Sequence, residues 1–394
     1  MLSLGSNISA TQVVESKYSG VFDGTDDFVD CGLIDFNTND FSVSCWVKLR
    51  EWTQYSTIWS NRSDSSNSNI GVGLRTTGVT GELQLFSDWG TPTDSSIVTG
   101  VPADTWVHVV CTGDRDGNQV IYLNDDDATT TTDISDRSSV DFTSNLEFRI
   151  GRSHGDLYHN MSISQLGIWN VALSANAVEA LYNNGKPINL RINQGNYTSS
   201  SNLQQYYKFG NGLFDDKAIG IVHDQDNPGF GSNLVTNGHF DVNTSGWSAG
   251  SGRYIHSLTW EKDCLYFCSV DLYLVSGKFR IDGADTAVIG AGTGSNSEII
   301  GIETYDAAID DRWRTVTGYA IGVASGNTDE LWIRSFGTSS GKSITQGTFG
   351  GRSGVARFVF TDTGEFYIDN VSVKKINGKP GLTSGGVTFS SDTP

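Results

Sequence analysis

The chain has 394 residues and only 5 cysteines. Cys31, Cys45, Cys111, Cys264 and Cys268 show no metal-ligand spacing, and one is left over from any set of pairs. On one strand, Cys264 and Cys268 would stand about 13 Å apart along one face, beyond the reach of a disulfide. The sequence thus argues against a disulfide framework, and maturation in a reducing compartment such as a cytoplasm is expected. Basic residues are scarce as well: 26 Lys and Arg face 45 Asp and Glu, for a formal net charge of −19. That charge repels nucleic acid and anionic membranes, so neither is an expected partner. No stretch approaches the roughly 20 apolar residues of a membrane helix, so membrane insertion is not expected. The opening MLSLGSNISATQVVESK lacks the basic start and apolar run of a Sec signal. Heptads, a P-loop, a G-x-S-x-G elbow and a His/Cys metal cluster are also missing, which removes coiled coils and the commoner catalytic motifs.

What is abundant is glycine, 46 residues against 6 prolines, together with 10 Trp, 14 Tyr and 19 Phe in short runs separated by polar turns. This pattern, at a length comfortable for two domains, predicts an all-β protein of two β-sandwich (jelly-roll) domains in tandem. The first domain is organised around Asp104–Asp127. Two strands, Trp106–Thr112 and Gln119–Asn124, flank a turn at Gly113–Asn118, with Val107, Val109 and Cys111 alternating against Trp106, His108 and Val110. His108 in that strand reads as a structural histidine rather than a base. Asp114, Asp116, Gly117 and Asn118 look like the start of an EF-hand, but Gln119 stands where that loop needs Gly.

Reading outward from the hairpin, GVFDGTDDFVDCG at Gly20–Gly32, FSVSCWVKL at Phe41–Leu49, LEFRIG at Leu146–Gly151 and ISQLGIW at Ile163–Trp169 follow in order. The series closes with Ala172–Ser174 and Leu181–Gly185. This order resembles the laminin-G/pentraxin-like branch of the concanavalin A-like lectin fold. The resemblance implies a jelly roll over residues 18–188, with core tryptophans at Trp46, Trp106 and Trp169. A helix is expected over Ser174–Asn183, capped by Ser174 and Gly185 and stopped by Pro187. It also implies a calcium site at an acidic rim, with Asp23, Asp26 and Asp27 or Asp125–Asp127 as ligands. Ser164 stands where many relatives carry an acid, and the alternative is that these Asp residues simply form turns.

Residues 1–17 read as an N-terminal arm and 189–232 as a connector too aromatic for a free linker, with Tyr206, Tyr207, Phe209, Phe214 and Phe230. The connector, in Tyr206–Asp216 and His223–Phe240, resembles one found in structural proteins of tailed phages of marine bacteria. Residues 233–376 open with NLVTNGHFDVNTSGW and close with GEFYIDNVSVKK. Those ends resemble the galactose-binding-like jelly roll of family 4/9 carbohydrate-binding modules, which implies a structural calcium near Asp241 and Asp369, with His239 beside it. Residues 377–394, rich in Gly, Ser, Thr and Pro, read as a flexible C-terminal tail.

Sugar recognition needs aromatic platforms. Trp89, in SDWGTPTD, is the leading candidate, with Trp52, Tyr55 and Trp59 beside it; Trp260, Trp313 and Trp332 are second-domain candidates weighed against core roles. Catalysis is not expected. The run EIIGIE at Glu298–Glu303 spaces two glutamates as glycan hydrolases of the concanavalin A-like fold do, but Ile300 replaces their central Asp. The expected function is a non-enzymatic virion structural protein of a tailed phage, a tail fibre/adhesin or a capsid decoration protein, with structural calcium. It would be made in the host cytoplasm and would meet other virion proteins and cell-surface glycans, with homo-oligomerisation open. The alternatives are an exported bacterial carbohydrate-binding protein without a Sec signal and, third, a glycan hydrolase.

Overall fold

Alternating apolar residues in short runs do build strands throughout. The computed structural model describes residues 16–394 except 35, 63–69, 90–92, 127–130, 143–145, 214, 217–219, 285, 288–295, 324–329 and 336–338. The expected arm therefore lies, but for Ser16 and Lys17, outside the described residues, as does Asp127 of the second acidic rim. The chain forms two units: Met1–Asn227 together with Pro380–Pro394, and Pro228–Lys379.

Unit 1 is a sandwich of two antiparallel sheets. The first runs, in spatial order, Thr132–Asp133, Asn118–Leu123, Trp106–Gly113, Phe41–Leu49, Asn160–Trp169, Ser19–Asp23 and Thr388–Ser390, with Leu203–Tyr207 also paired to Asn160–Trp169. The second runs Ile221–His223, Pro380–Ser384, Phe28–Leu33, Glu147–Ile150, Thr57–Ser60, Ile70–Thr76, Leu83–Trp89 and Thr93–Val98. The organising hairpin sits in the first sheet, with Val109 opposite Leu123 and Cys111 opposite Ile121. Its inward residues Val107, Val109 and Cys111 join Phe22, Val43, Val47, Leu74, Leu85 and Phe148 in one core between the sheets.

The outer face of the first sheet is closed. Helix α1, Ala175–Tyr182, starts at Ser174, whose side chain accepts from the Ala177 amide, and ends at Asn183 in the left-handed conformation, two residues before the expected glycine. Its Ala177, Val178 and Leu181 pack with Val110, Tyr122 and Trp169 of the sheet, with Ile188, and with Leu190, Tyr197, Leu203 and Tyr206 of the connector. Much of the connector is thus integral to unit 1, contributing a strand to each sheet.

The C-terminal segment corrects the reading of a flexible tail. Pro380–Ser384 lies between Ile221–His223 and Phe28–Leu33, and Thr388–Ser390 pairs with Ser19–Asp23. Val387 and Phe389 pack on the core. Asp392 accepts from Lys48 Nζ (3.0 Å) and from Trp106 Nε1 (3.1 Å), so Trp106 is a half-buried anchor rather than a core residue. Composition hides these strands, because their place is fixed by backbone pairing to waiting edges rather than by an apolar pattern of their own.

Unit 2 is also a two-sheet sandwich. One sheet runs Thr286–Ala287, Arg314–Gly322, Leu265–Gly277, Gly364–Ile376, Arg352–Phe360 and Lys342–Phe349, with Phe230–Asn233 paired to Gly364–Ile376. The other runs Ser248–Gly250, Arg253–Ser257, Glu330–Arg334, Phe279–Ala284 and Asn296–Ile302. Leu272, Leu274, Phe279, Ile333, Phe358, Phe366 and Ile368 fill the space between them.

Candidate functional site

The acidic turn of unit 1 follows from its sequence. Strand Ser19–Asp23 must reverse into Phe28–Leu33, and Gly24 does so at φ +81, close against the Asn160 backbone. Asp27 Oδ2 accepts from the Asp23 amide (2.9 Å) and Asp23 Oδ1 from the Thr25 amide (2.7 Å). These bonds bring ligand atoms of Asp23, Asp26 and Asp27 within 4.8 Å of one another. Asp23 and Asp26 are exposed, whereas Asp27 is 4% exposed and its Oδ1 makes no hydrogen bond of good geometry, the Gly386 amide acting on this carboxyl only weakly. Burial raises the Asp27 carboxyl above the usual carboxylate range. The returning C-terminal segment closes the turn from the other side: a Cβ on Gly385 would fall 2.4 Å from the Asp26 carbonyl oxygen.

The expected calcium ligands of unit 2 are arranged otherwise. Asp369 stands opposite Asp271 across two strands, and Arg352 Nη1 lies 2.6 Å from Asp271 and 3.7 Å from Asp369. Asp241 is exposed, and His239 Nδ1 donates to Asn370 Oδ1 (2.5 Å). Among the described residues, no further acid, His or Cys joins Asp241 and Asp369 in a cluster of ligand size. The cation beside Asp369 is a guanidinium.

The aromatic candidates divide sharply. Trp89 is not on a loop: it ends strand Leu83–Trp89, in which Leu83, Leu85 and Ser87 also point inward, and it belongs to the core. Its Nε1 donates to Asp94 Oδ2 (2.8 Å), its ring meets Phe142 edge-on at 4.2 Å, and the buried Arg115 guanidinium lies 4.7 Å from its ring centre. Trp59 is fully buried against Phe148. Neither can receive a sugar, which overturns both assignments. Trp52 is half-buried against the core, leaving Tyr55, 41% exposed, as the candidate that reaches solvent.

Around Tyr55 the structure assembles residues that sequence reasoning missed. The Arg75 guanidinium lies 4.3 Å from the ring centres of both Tyr55 and Phe86, and its Nε donates to Gln84 Oε1 (2.9 Å). Arg62, 5.5 Å from the same Phe86 ring, donates to Asp88 (2.7 Å). On the same outer face, Arg152 lies 4.7 Å from the ring centre of Phe28 and 5.2 Å from that of Tyr158. The period of two was the available signal, since with Leu83 and Leu85 inward, Gln84, Phe86 and Asp88 must face out. Unit 1 therefore has one sheet face closed by helix and connector, and another bearing cation–aromatic stacks.

The carboxylates of the hydrolase-like run are not gathered for catalysis. Glu298 pairs with Arg280 (3.2 Å), and Glu303 is exposed beyond the end of its strand. His108 is buried beneath α1, stacked on Trp46 at 4.9 Å and bonded through Nε2 to Ser44 Oγ (2.7 Å); burial lowers its pKa to about 3.

Fold and site define unit 1 as a lectin-like β-sandwich, a concanavalin A-like jelly roll. Residues 23–179 match the family model of the concanavalin A-like lectin/glucanases superfamily. Among solved structures, the chain is similar to a protein of Bacteroides ovatus whose name proposes carbohydrate binding, at 18% identity and a TM-score of 0.40, covering 54% of this chain. The match spans 56% of that protein's length. A SAP-like pentraxin of Limulus polyphemus is similar at 16% identity and a TM-score of 0.34 over 42% of this chain and 82% of that one. The carbohydrate-binding module CBM40 of a Ruminococcus gnavus sialidase, bound to sialyllactose, is similar at 15% identity and a TM-score of 0.31 over 37% and 84%. A search of curated protein sequences finds none similar to this chain.

Proposed function

We propose that this is a non-enzymatic glycan-binding virion structural protein of a tailed phage, acting as a tail-associated adhesin or a capsid decoration protein. Its unit 1 recognises sugar on the outer face of the second sheet. The observation that carries the glycan reading is the Tyr55–Arg75–Phe86 stack with Gln84 beside it, on the sheet face that helix α1 does not cover. A half-exposed ring offers the apolar face of a pyranose its stacking surface, and the guanidinium and amide offer hydroxyls their donors and acceptors. The phage setting is supported by the resemblance of the connector.

The test is binding of fluorescently labelled protein to intact bacterial host cells, competed by soluble glycans. Saturable binding is expected, with Arg75→Ala and Tyr55→Ala each weakening it about tenfold, the size of one lost stacking contact in a desolvated site. Wild-type affinity in both variants would remove this face as the site. Recovery of peptides of this chain from purified phage particles checks the virion assignment.

Calcium at Asp23, Asp26 and Asp27 belongs to the same reading, because a buried carboxylate oxygen with no well-formed hydrogen bond, gathered with two further carboxylates, suits a hard cation. Saturating calcium is expected to raise the melting temperature of the protein by about 5 °C, and EDTA to reverse it. In Asp27→Asn the rise should vanish. A calcium-independent melting curve for the wild type would mean that the Asp residues only form the turn.

A further inference from the structure

Unit 2 leaves one long sheet edge open. Lys342–Phe349 is the outermost strand of its sheet, and its one strand neighbour is Arg352–Phe360. Among the described residues, the other sheet edges are short or covered. Five end in strands of two or three residues. Of the two longer ones, Thr93–Val98 gives its Ser95 carbonyl to Thr132 Oγ1 (2.8 Å). Asn296–Ile302 lies so close to the facing sheet that a Cβ on Gly318 would fall 2.0 Å from the Ile299 carbonyl oxygen. Long edges are usually guarded by charges, proline or a covering segment. KSITQGTF has a single charge, at its first residue, and no proline.

The pairing decides which backbone groups stay open. The Thr361 amide donates to the Gly341 carbonyl (2.9 Å), one step beyond the pair Lys342–Phe360. Hydrogen-bonded and non-bonded pairs alternate in an antiparallel ladder. Ser343, Thr345 and Gly347 therefore bond to Arg352–Phe360, while the N–H and C=O groups of Lys342, Ile344, Gln346 and Thr348 point away from the sheet. The side chains of these four take the core-facing side, since Lys342 and Gln346 stand opposite the buried Phe360 and Ala356. Two charges on that side make no ion pair among the described residues. One is Lys342; the other is Asp241, whose carbonyl accepts from Gln346 Nε2 (3.3 Å). A Cβ on Gly354 would fall 2.9 Å from Asp241 Oδ1, which sets that carboxylate level with Gly347 and Thr348, at the far end of the strand from Lys342.

We propose that two copies of this chain pair through Lys342–Phe349, antiparallel about a two-fold axis at Thr345, and form a homodimer with one continuous sheet. The register follows from the open groups. An axis at Thr345 sets Lys342 opposite Thr348 of the partner subunit and Ile344 opposite Gln346 of the partner subunit, so every outward N–H and C=O finds its complement. Thr345 then meets its own copy in a non-bonded pair, where side chains come closest and two threonines pair well. An axis at Gln346 would instead bring Lys342 against the turn at Gly350 and lose its bonds. Charge favours the same arrangement. Each Lys342, carried to the far end of the opposite strand, arrives on the side that holds Asp241 and level with it, so two Lys–Asp pairs form across the axis. Parallel pairing would place lysine beside lysine and leave both carboxylates alone. The dimer rests on nothing in the glycan or virion reading.

The experiment is sedimentation velocity of the full chain across the micromolar range, with near-ultraviolet circular dichroism to show that each variant is folded. A species of two chains is expected. Gln346→Pro removes one outward N–H, a change that an edge strand tolerates, and should leave a folded monomer. Lys342→Glu turns both cross-axis pairs repulsive and should weaken the dimer about tenfold or more, an effect that salt reduces. Adding Asp241→Lys to Lys342→Glu restores opposite charges and should recover the wild-type association. A wild-type chain that stays monomeric, or that sediments as any other oligomer, would overturn the proposal. So would a dimer that persists in folded Gln346→Pro, since another surface would then hold it. Should that variant not fold, the charge swap decides alone: a doubly substituted protein no better associated than Lys342→Glu would rule out this register.

Discussion

A chain ended at Asn227 should be recovered only as aggregate, whereas a chain in which residues 228–379 are replaced by a short Gly-Ser bridge should be soluble and fold cooperatively. The difference is the last fifteen residues. Without them the edges of Ser19–Asp23 and Phe28–Leu33 lose the strands Thr388–Ser390 and Pro380–Ser384, and Ile221–His223 loses the strand beside it. Unpaired edges of this kind template association between chains. The core at Val387 and Phe389 opens, and the anchors from Lys48 and Trp106 to Asp392 go with it. In the bridged chain nothing of unit 1 is missing, because His223 and Pro380 are already strand neighbours. Solubility on expression and the sharpness of urea unfolding separate the two designs. Equal behaviour would mean that the return strands add nothing to unit 1.

Acid should unfold unit 1 well above the range where carboxylates titrate. Burial lowers the pKa of His108 to about 3, and those of His159 and His223 to about 4, from 6.5 in the unfolded chain. His159 Nδ1 donates to the Asn160 carbonyl (3.1 Å) and His223 Nδ1 to the Asp224 carbonyl (2.8 Å), so each is held neutral in a fixed tautomer. Below pH 6.5 the unfolded chain takes up protons that the folded one refuses, and stability falls with pH until the folded pKa values are reached. Each histidine then costs about 2 kcal/mol by pH 5, and the three together a large part of an ordinary domain's stability. Asp30 and Asp215, raised by burial, work the other way but only nearer their own range. Urea midpoints at pH 7, 6 and 5 check this; a midpoint that does not move over that range would show that these rings are hydrated in solution.

Local patterns made much of the fold legible. Val107, Val109 and Cys111 gave the hairpin its inward face, Ser174 gave the helix its start, and the alternation around Leu272 gave unit 2 its longest strands. What stayed hidden depended on partners far along the chain. PGLTS and TFS carry no periodicity of their own, so nothing short of the sheet edges they complete marks them as strands. Trp89 was misread because SDWGTPTD looks like a loop, although Asp94 across the hairpin supplies the indole with an acceptor and so permits its burial. Arg352 likewise showed no sign that it would stand between Asp271 and Asp369, since that meeting needs a hairpin tip folded over two strands.

The strand pairing of Ser19 with Ser390 bears on the order in which the protein is made. Synthesis proceeds from the N-terminus, so the first strands of unit 1 emerge long before their last partners exist, while Pro228–Lys379 is complete as soon as it has emerged. Unit 2 can therefore finish folding first, but unit 1 must wait with two sheet edges bare until Pro380–Ser384 and Thr388–Ser390 have emerged. Closing so distant a contact is slow, which makes the interval before those strands dock the time when the nascent protein most needs protection from aggregation.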